Sequence, residues 1–129
     1  MNTKILLSSS ATFMGLAGIV CSFFPQEISF YLNANSSGMA IIVIQLTGAL
    51  YFSFAMMNWT AKENLLGGIY GRPITIGNMT HFVIGALALL KVVSTTNPSP
   101  LLLSATFVYT VYAILFGMIF FRHPKQTQQ

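Results

Sequence analysis

Four apolar runs, separated by three short polar gaps, occupy almost all of this 129-residue sequence. The runs cover approximately residues 5–24, 38–60, 74–93 and 100–122. Each is close to the ~20 residues that an α-helix needs to cross the hydrocarbon core of a bilayer. Because only 6% of the residues are charged, a water-soluble surface is excluded. The sequence therefore predicts an all-α integral membrane protein, an antiparallel four-helix bundle that forms a single transmembrane domain over residues 1–129.

The basic residues indicate how the four spans are oriented. Short loops that carry Lys and Arg tend to remain in the cytoplasm. Four spans place both termini on one side, and that side receives most of the basic residues, namely Lys4, Lys62, Arg72, Arg122 and Lys125. The opposite side receives Lys91, whose long side chain can snorkel to the interface. We therefore predict that both termini are cytoplasmic. The basic residues form no patch, so no nucleic-acid partner is expected.

Local sequence signals mark the ends of the helices. Pro25 disfavours helical geometry in the residue before it, so the first helix is expected to stop there. The following segment, 26–32, fits either a short helix in the membrane interface or an irregular loop. Ser99 before Pro100 is typical of a cap and a first-turn proline that begin the fourth helix. Pro124 is expected to end that helix.

The gap at residues 62–73 combines glycines with basic residues. Its glycines are Gly67, Gly68 and Gly71. They fit close approach of the backbone to a ligand or positive φ angles. The alternative is a tight turn between helices. Lys62 and Arg72 are candidate contacts for a lipid headgroup or for the loop itself. The spacing matches neither a Walker loop nor a dinucleotide fingerprint, so nothing catalytic is expected here.

Polar side chains inside the spans carry functional information, since each costs free energy in lipid unless it faces the bundle or another protein. Asn78 and His81 share one face of the third span, and Asn58 is expected at the same depth in the second. The predicted intramembrane polar cluster consists of Asn58, Asn78, His81, Tyr51 and Tyr112. The first span adds hydroxyl groups at about the same depth, from Ser8, Ser9, Ser10 and Thr12. Two interpretations stay open: hydrogen bonds that pack the helices together, or a titratable His81 in a small cavity or pore.

The chemistry available to this cluster is limited. No carboxylate lies in any span, which removes the usual partner for a proton relay or an activated base. His81 cannot supply both axial ligands of a haem, and a metal site would need ligands from several copies of the chain. Cys21 is expected to pack as a small residue rather than to serve a redox role. We expect no catalytic residue, no metal site and no cofactor.

Small residues recur on the sides of the first three spans and predict close approach of the helix backbones. They are Ala11, Gly15 and Gly18 in the first span, Gly48 and Ala55 in the second, and Gly77 and Gly85 in the third. Trp59 is expected near an interface as an aromatic anchor.

In size and layout the sequence resembles the DoxX-like proteins and similar small four-span bacterial membrane proteins. The resemblance covers the full length and includes the segment from Gly67 to Pro73, which runs into Asn78 and His81. It implies a bacterial inner-membrane location. Most members of the group have no assigned role, so the resemblance transfers no catalytic residue.

Three functional classes are compatible with these features. The favoured one is a non-enzymatic accessory or interaction subunit that holds lipid or another apolar ligand, with membrane lipid and a homo-oligomer or larger membrane complex as partners. The alternative is an oligomeric channel or small transporter with a polar path at Asn58, Asn78 and His81. A third is a quinone-binding membrane subunit, because a lone histidine with a tyrosine can hold a quinone.

Overall fold

The computed structural model describes residues 2–32, 37–63 and 71–121. Over these ranges the chain is helical, with the following elements: α1 (Thr3–Phe23), α2 (Pro25–Tyr31), α3 (Gly38–Ala61), α4 (Arg72–Thr95) and α5 (Pro100–Phe121). Four of them, α1, α3, α4 and α5, are long and apolar enough to cross a membrane. The predicted all-α fold with four long apolar helices is therefore confirmed, and each of these helices begins and ends within two residues of the corresponding apolar run.

The contacts group the chain into two compact units. Unit 1 is Met1–Glu63 and contains α1, α2 and α3, in which α3 packs against both of the other helices. Unit 2 is Asn64–Gln129 and contains α4 packed against α5. The arrangement of these units as one four-helix domain stays a prediction.

Side chains and prolines set the helix ends of unit 1. The Asn2 side chain accepts a hydrogen bond of 3.1 Å from the backbone N–H of Lys4 and so caps α1. Pro25 ends α1 and occupies the first turn of α2, where its missing N–H costs nothing. The segment after Pro25 is thus a short helix, and the loop interpretation is wrong. Ser37 caps α3 by accepting from the N–H of Ala40 at 3.3 Å.

Unit 2 shows the predicted cap of α5. The Ser99 side chain accepts a hydrogen bond of 3.3 Å from the N–H of Leu102, one turn into the helix. At the start of α4, Gly71 has φ −86° and ψ −17°, which is right-handed helical geometry open to any residue. A positive φ at Gly71 is therefore wrong. The predictions for Gly67, Gly68 and Pro124 fall outside the described residues.

Glycines bring α1 and α3 into backbone contact. A Cβ atom on Gly18 would lie 2.7 Å from the backbone nitrogen of Phe52 and 2.9 Å from the carbonyl oxygen of Gly48. A Cβ atom on Gly48 would lie 2.7 Å from the backbone nitrogen of Ser22 and 2.9 Å from the Cβ of Cys21. Neither position has room for a side chain, so the predicted close approach through small residues is confirmed for this pair of helices. Cys21 packs here, as predicted.

The core of unit 2 is aromatic. Phe82 of α4 and Phe116 of α5 are fully buried, and their rings stack with centroids 5.7 Å apart. Tyr112 stacks on Phe82 at 4.8 Å, one turn before Phe116 on α5. Gly85 leaves the space that the Tyr109 ring occupies, because a Cβ atom there would overlap ring carbons of Tyr109. Stacked and edge-on aromatic pairs of this kind contribute about 0.5–1.5 kcal/mol each beyond the area they bury.

Candidate functional site

Asn58 forms a buried polar connection between α3 and α1 in unit 1. Its side chain is fully buried, and its Nδ2 donates a hydrogen bond of 3.1 Å to the hydroxyl oxygen of Ser10. The same amide nitrogen lies 3.9 Å from the sulfur of Met14. The Ser10 hydroxyl in turn donates to the carbonyl oxygen of Leu7 at 3.0 Å. This chain of hydrogen bonds satisfies two buried polar side chains and fixes the register of the two helices.

Asn78 occupies a comparable buried position in unit 2. Its side chain is fully buried, and its Nδ2 donates a hydrogen bond of 2.9 Å to the carbonyl oxygen of Ile74 on the preceding turn of α4. Thr75 is also buried and bonds backwards along the same helix, to the carbonyl oxygen of Gly71 at 3.0 Å. The first two turns of α4 therefore hold polar side chains inside the unit at a small desolvation cost.

His81 pairs with Tyr109 of α5. The Tyr109 hydroxyl oxygen lies 3.3 Å from His81 Nε2, with the donor set by the tautomer of the imidazole. The two rings are tilted, with centroids 5.6 Å apart, and the edge of Phe82 meets both of them. Tyr109 is nearly buried, whereas His81 is only partly covered. This pair offers hydrogen-bonding groups beside the aromatic ring of Phe82.

The predicted cluster residues fall into the two units. Asn58 and Tyr51 lie on α3 in unit 1, whereas Asn78, His81 and Tyr112 lie in unit 2. Within unit 2, Tyr112 packs on Phe82 through its ring. The grouping of all five residues into one site stays a prediction.

Tyr109 is the residue that the predicted cluster omitted. The spacing of Tyr109, Tyr112 and Phe116 places all three on one side of α5. Gly85 lies on α4, four residues after His81, and its missing side chain leaves room there for an aromatic ring from another helix. Together, these two patterns could have paired Tyr109 with His81.

An open groove lies on the surface of unit 1 between α1 and α3. Its volume is about 250 Å³, and its lining residues are Ala11, Thr12, Gly15, Phe52, Ala55, Met56 and Trp59. The Thr12 hydroxyl donates a hydrogen bond of 3.0 Å to the carbonyl oxygen of Ser8, so this polar group has a partner within α1. Thr12 then contributes its methyl group to the apolar lining of the groove. The groove exists because three of its residues are Ala or Gly, which leave space between the two helices.

Charged residues gather at the end of α3, next to this groove. The Lys62 ammonium lies 3.2 Å from the centre of the Trp59 ring, a cation–π contact. Glu63 forms an exposed ion pair with Lys4, in which Oε1 lies 2.8 Å from Nζ. The hydrogen bond from Lys4 lowers the pKa of the Glu63 carboxyl. Arg72, the other candidate headgroup contact, is exposed at the start of α4 in unit 2.

Within residues 2–32, 37–63 and 71–121, no three His, Cys, Asp or Glu side chains come together as a metal site would require. Among the same residues, every buried side-chain nitrogen and oxygen has a hydrogen-bond partner. Comparison with protein-family models, with curated proteins and with solved structures gave no match.

Proposed function

We propose that this protein is a non-enzymatic accessory or interaction subunit of a membrane, and that it holds a lipid or another apolar ligand. In this proposal the four long helices form an antiparallel bundle in a bacterial inner membrane, with both termini in the cytoplasm. A second copy or a larger membrane complex is its protein partner.

The observation that carries the proposal is the apolar groove between α1 and α3. Ala11, Gly15 and Ala55 are too small to fill the space between the two helices at the surface, so they leave an indentation there. Apolar concave sites lined by an aromatic ring and a flexible methionine are typical of ligand binding. Trp59 and Met56 supply those two elements.

Purification in a mild detergent tests this function. The expected result is a protein that carries bound phospholipid, detected by native mass spectrometry, and that elutes with a second copy or another chain after crosslinking in the membrane. Recovery of a lipid-free monomer under the same conditions would contradict both parts of the proposal.

The orientation requires a separate experiment. Single cysteines at Asn2 and Gln129, in a Cys21→Ser background, are offered to a membrane-impermeant maleimide in intact spheroplasts. Because both tails are cytoplasmic in this proposal, neither cysteine should react until the membrane is lysed. Labelling of one tail in intact cells would overturn the four-span topology.

A second candidate, a quinone-binding subunit, is favoured by the pair of His81 and Tyr109. A quinone carbonyl accepts hydrogen bonds and its ring stacks on aromatic side chains, and this pair lies against Phe82 with a partly exposed imidazole. The test is organic extraction of protein purified from native membranes. This candidate requires a quinone in the extract. The amount of quinone per protein should fall in His81→Ala and stay unchanged in the control Asn97→Ala.

A further inference from the structure

We propose that the groove of unit 1 is a binding site for an anionic phospholipid, with the acyl chain between α1 and α3 and the phosphate on Lys62. This inference rests on the proposed lipid-holding function and adds the headgroup charge, the residue that reads it and the direction of the lipid.

The groove has the direction that an acyl chain requires. Trp59 and Phe52 both line it and lie seven residues apart on α3, which corresponds to ~10 Å along the helix axis. The groove therefore runs along the helix, and in a membrane-spanning α3 it runs with the acyl chains of the surrounding leaflet. Trp59 marks its outer end, since α3 stops at Ala61. Phe52 and Gly15 mark the end that lies deeper in the span.

The walls suit a flexible hydrocarbon chain. Ala11 and Ala55 are buried and form a flat floor, while Thr12 contributes its methyl group because its hydroxyl bonds to the backbone of α1. Met56 is half-exposed beside them and can change rotamer to follow the shape of a bound chain. An acyl chain here gains contacts on two helices, whereas a lipid on a convex helix surface contacts only one.

The charge at the outer end selects the headgroup. Lys62 holds its ammonium over the ring of Trp59, so the cation stands where the polar end of the lipid must lie. Glu63 is next in the chain, but its carboxylate is paired with Lys4 at 2.8 Å. Two lysines against one glutamate give these three side chains a net charge of one positive unit. This charge favours a headgroup with a net negative charge over a zwitterionic headgroup.

The chain contains a built-in reporter for this site, because Trp59 is its only tryptophan. Bromine atoms on an acyl chain quench tryptophan fluorescence on contact. The full chain is reconstituted in vesicles in two arms: brominated phosphatidylglycerol diluted into plain phosphatidylcholine, and brominated phosphatidylcholine diluted into plain phosphatidylglycerol. The mole fraction of brominated lipid that gives half of the maximal quenching is measured in each arm.

Selective binding requires half-maximal quenching at a much lower mole fraction of phosphatidylglycerol than of phosphatidylcholine. Lys62→Gln should raise the phosphatidylglycerol value about fivefold, and Lys62→Arg should restore it. Lys91→Gln is the matched control, since it removes an exposed lysine at the far end of α4 in unit 2 and should change nothing. Gly15→Leu fills the groove and should abolish the selective phase, because the Cβ position is 3.5 Å from the Cβ of Ala55 and accepts a side chain.

Equal quenching curves for the two headgroups in the wild-type protein would overturn the charge selectivity, with no variant needed. Selective curves that persist in Lys62→Gln would assign the selectivity to another residue and overturn the role of Lys62. Either result leaves the broader proposal standing if lipid still co-purifies, so the two failures are distinguishable.

Discussion

The side-chain nitrogen of Asn58 donates a hydrogen bond of 3.1 Å to the hydroxyl of Ser10, and this bond joins α3 to α1 inside unit 1. Both residues are fully buried. Loss of the Ser10 acceptor would take a hydrogen bond away from a fully buried amide, and an unsatisfied polar group costs free energy in an apolar environment.

Removal of the acceptor should therefore weaken unit 1. We expect Ser10→Ala to lower the free energy of unfolding by about 1 kcal/mol, the usual scale for a hydrogen bond between membrane helices. Ser9→Ala is the matched control, because Ser9 is exposed and its hydroxyl makes the same bond to the preceding turn, here to Leu6. The measurement is equilibrium unfolding in mixed micelles. Equal losses in the two variants would contradict a specific role for Ser10.

The two glycines of α1 make a second matched pair. Gly18→Ala places a Cβ atom within 2.7 Å of the α3 backbone, which cannot rotate away, so the helices must separate. We expect a net loss of about 1–3 kcal/mol in unfolding free energy, despite the better helix propensity of alanine. In Gly15→Ala the new Cβ atom would lie 3.5 Å from the Cβ of Ala55, which is an ordinary van der Waals distance. This substitution should therefore leave the unfolding free energy unchanged or raise it slightly. A tolerated Gly18→Ala would show that α1 and α3 do not approach this closely.

In unit 2, Gly85→Ala should disturb Tyr109. The new Cβ atom would overlap the Tyr109 ring, so the ring must leave its place beside His81 at a cost of about 1–3 kcal/mol. Gly117→Ala is the control, because nothing lies within 4 Å of its Cβ position. A double-mutant cycle with Tyr109→Ala checks the cause by thermal unfolding. Once the ring is absent, Gly85→Ala should cost nothing further.

The ion pair between Lys4 and Glu63 predicts an acid-dependent term in stability. The hydrogen bond from Lys4 lowers the pKa of Glu63 in the folded protein below its ordinary value of 4.5. A carboxyl with a lowered folded pKa stabilises the fold above its unfolded pKa, and this contribution disappears as the pH falls through the folded value. The melting temperature should therefore fall less steeply in Glu63→Gln than in the wild-type protein when the pH is lowered from about 6 to about 3.

The effect on pH dependence should be small and sensitive to salt, because both side chains of the pair are exposed. Lys4→Gln should produce the same flattening as Glu63→Gln, and the double variant should add nothing to either. An unchanged acid profile in Glu63→Gln would show that the pair does not persist in solution.

The helices were predictable from the sequence because each span is an extended apolar run whose ends carry local signals. Pro25 and Ser99 act within one or two turns of their own position, so they mark ends regardless of how the helices pack. For the short helix α2 the sequence does not decide between a helix and a loop, since seven residues supply too little periodicity to separate the two.

The side-chain pairs were harder to predict, because they depend on how each helix is rotated about its axis. The spans are apolar nearly all round, so hydropathy does not show which side faces a neighbour. Ser8, Ser9 and Ser10 were expected at about the same depth, and rotation alone brings Ser10 to Asn58. For the same reason, the sequence predicts Tyr112 in the cluster, whereas Tyr109 is the partner of His81.

The contacts that hold α1 to α3 have a consequence for biogenesis. The glycine contacts at Gly18 and Gly48, the bond from Asn58 to Ser10 and the ion pair from Lys4 to Glu63 all lie within the first 63 residues. A ribosome that has released this stretch has delivered both partners of each of these contacts. The two helices can therefore lock together before the rest of the chain is made.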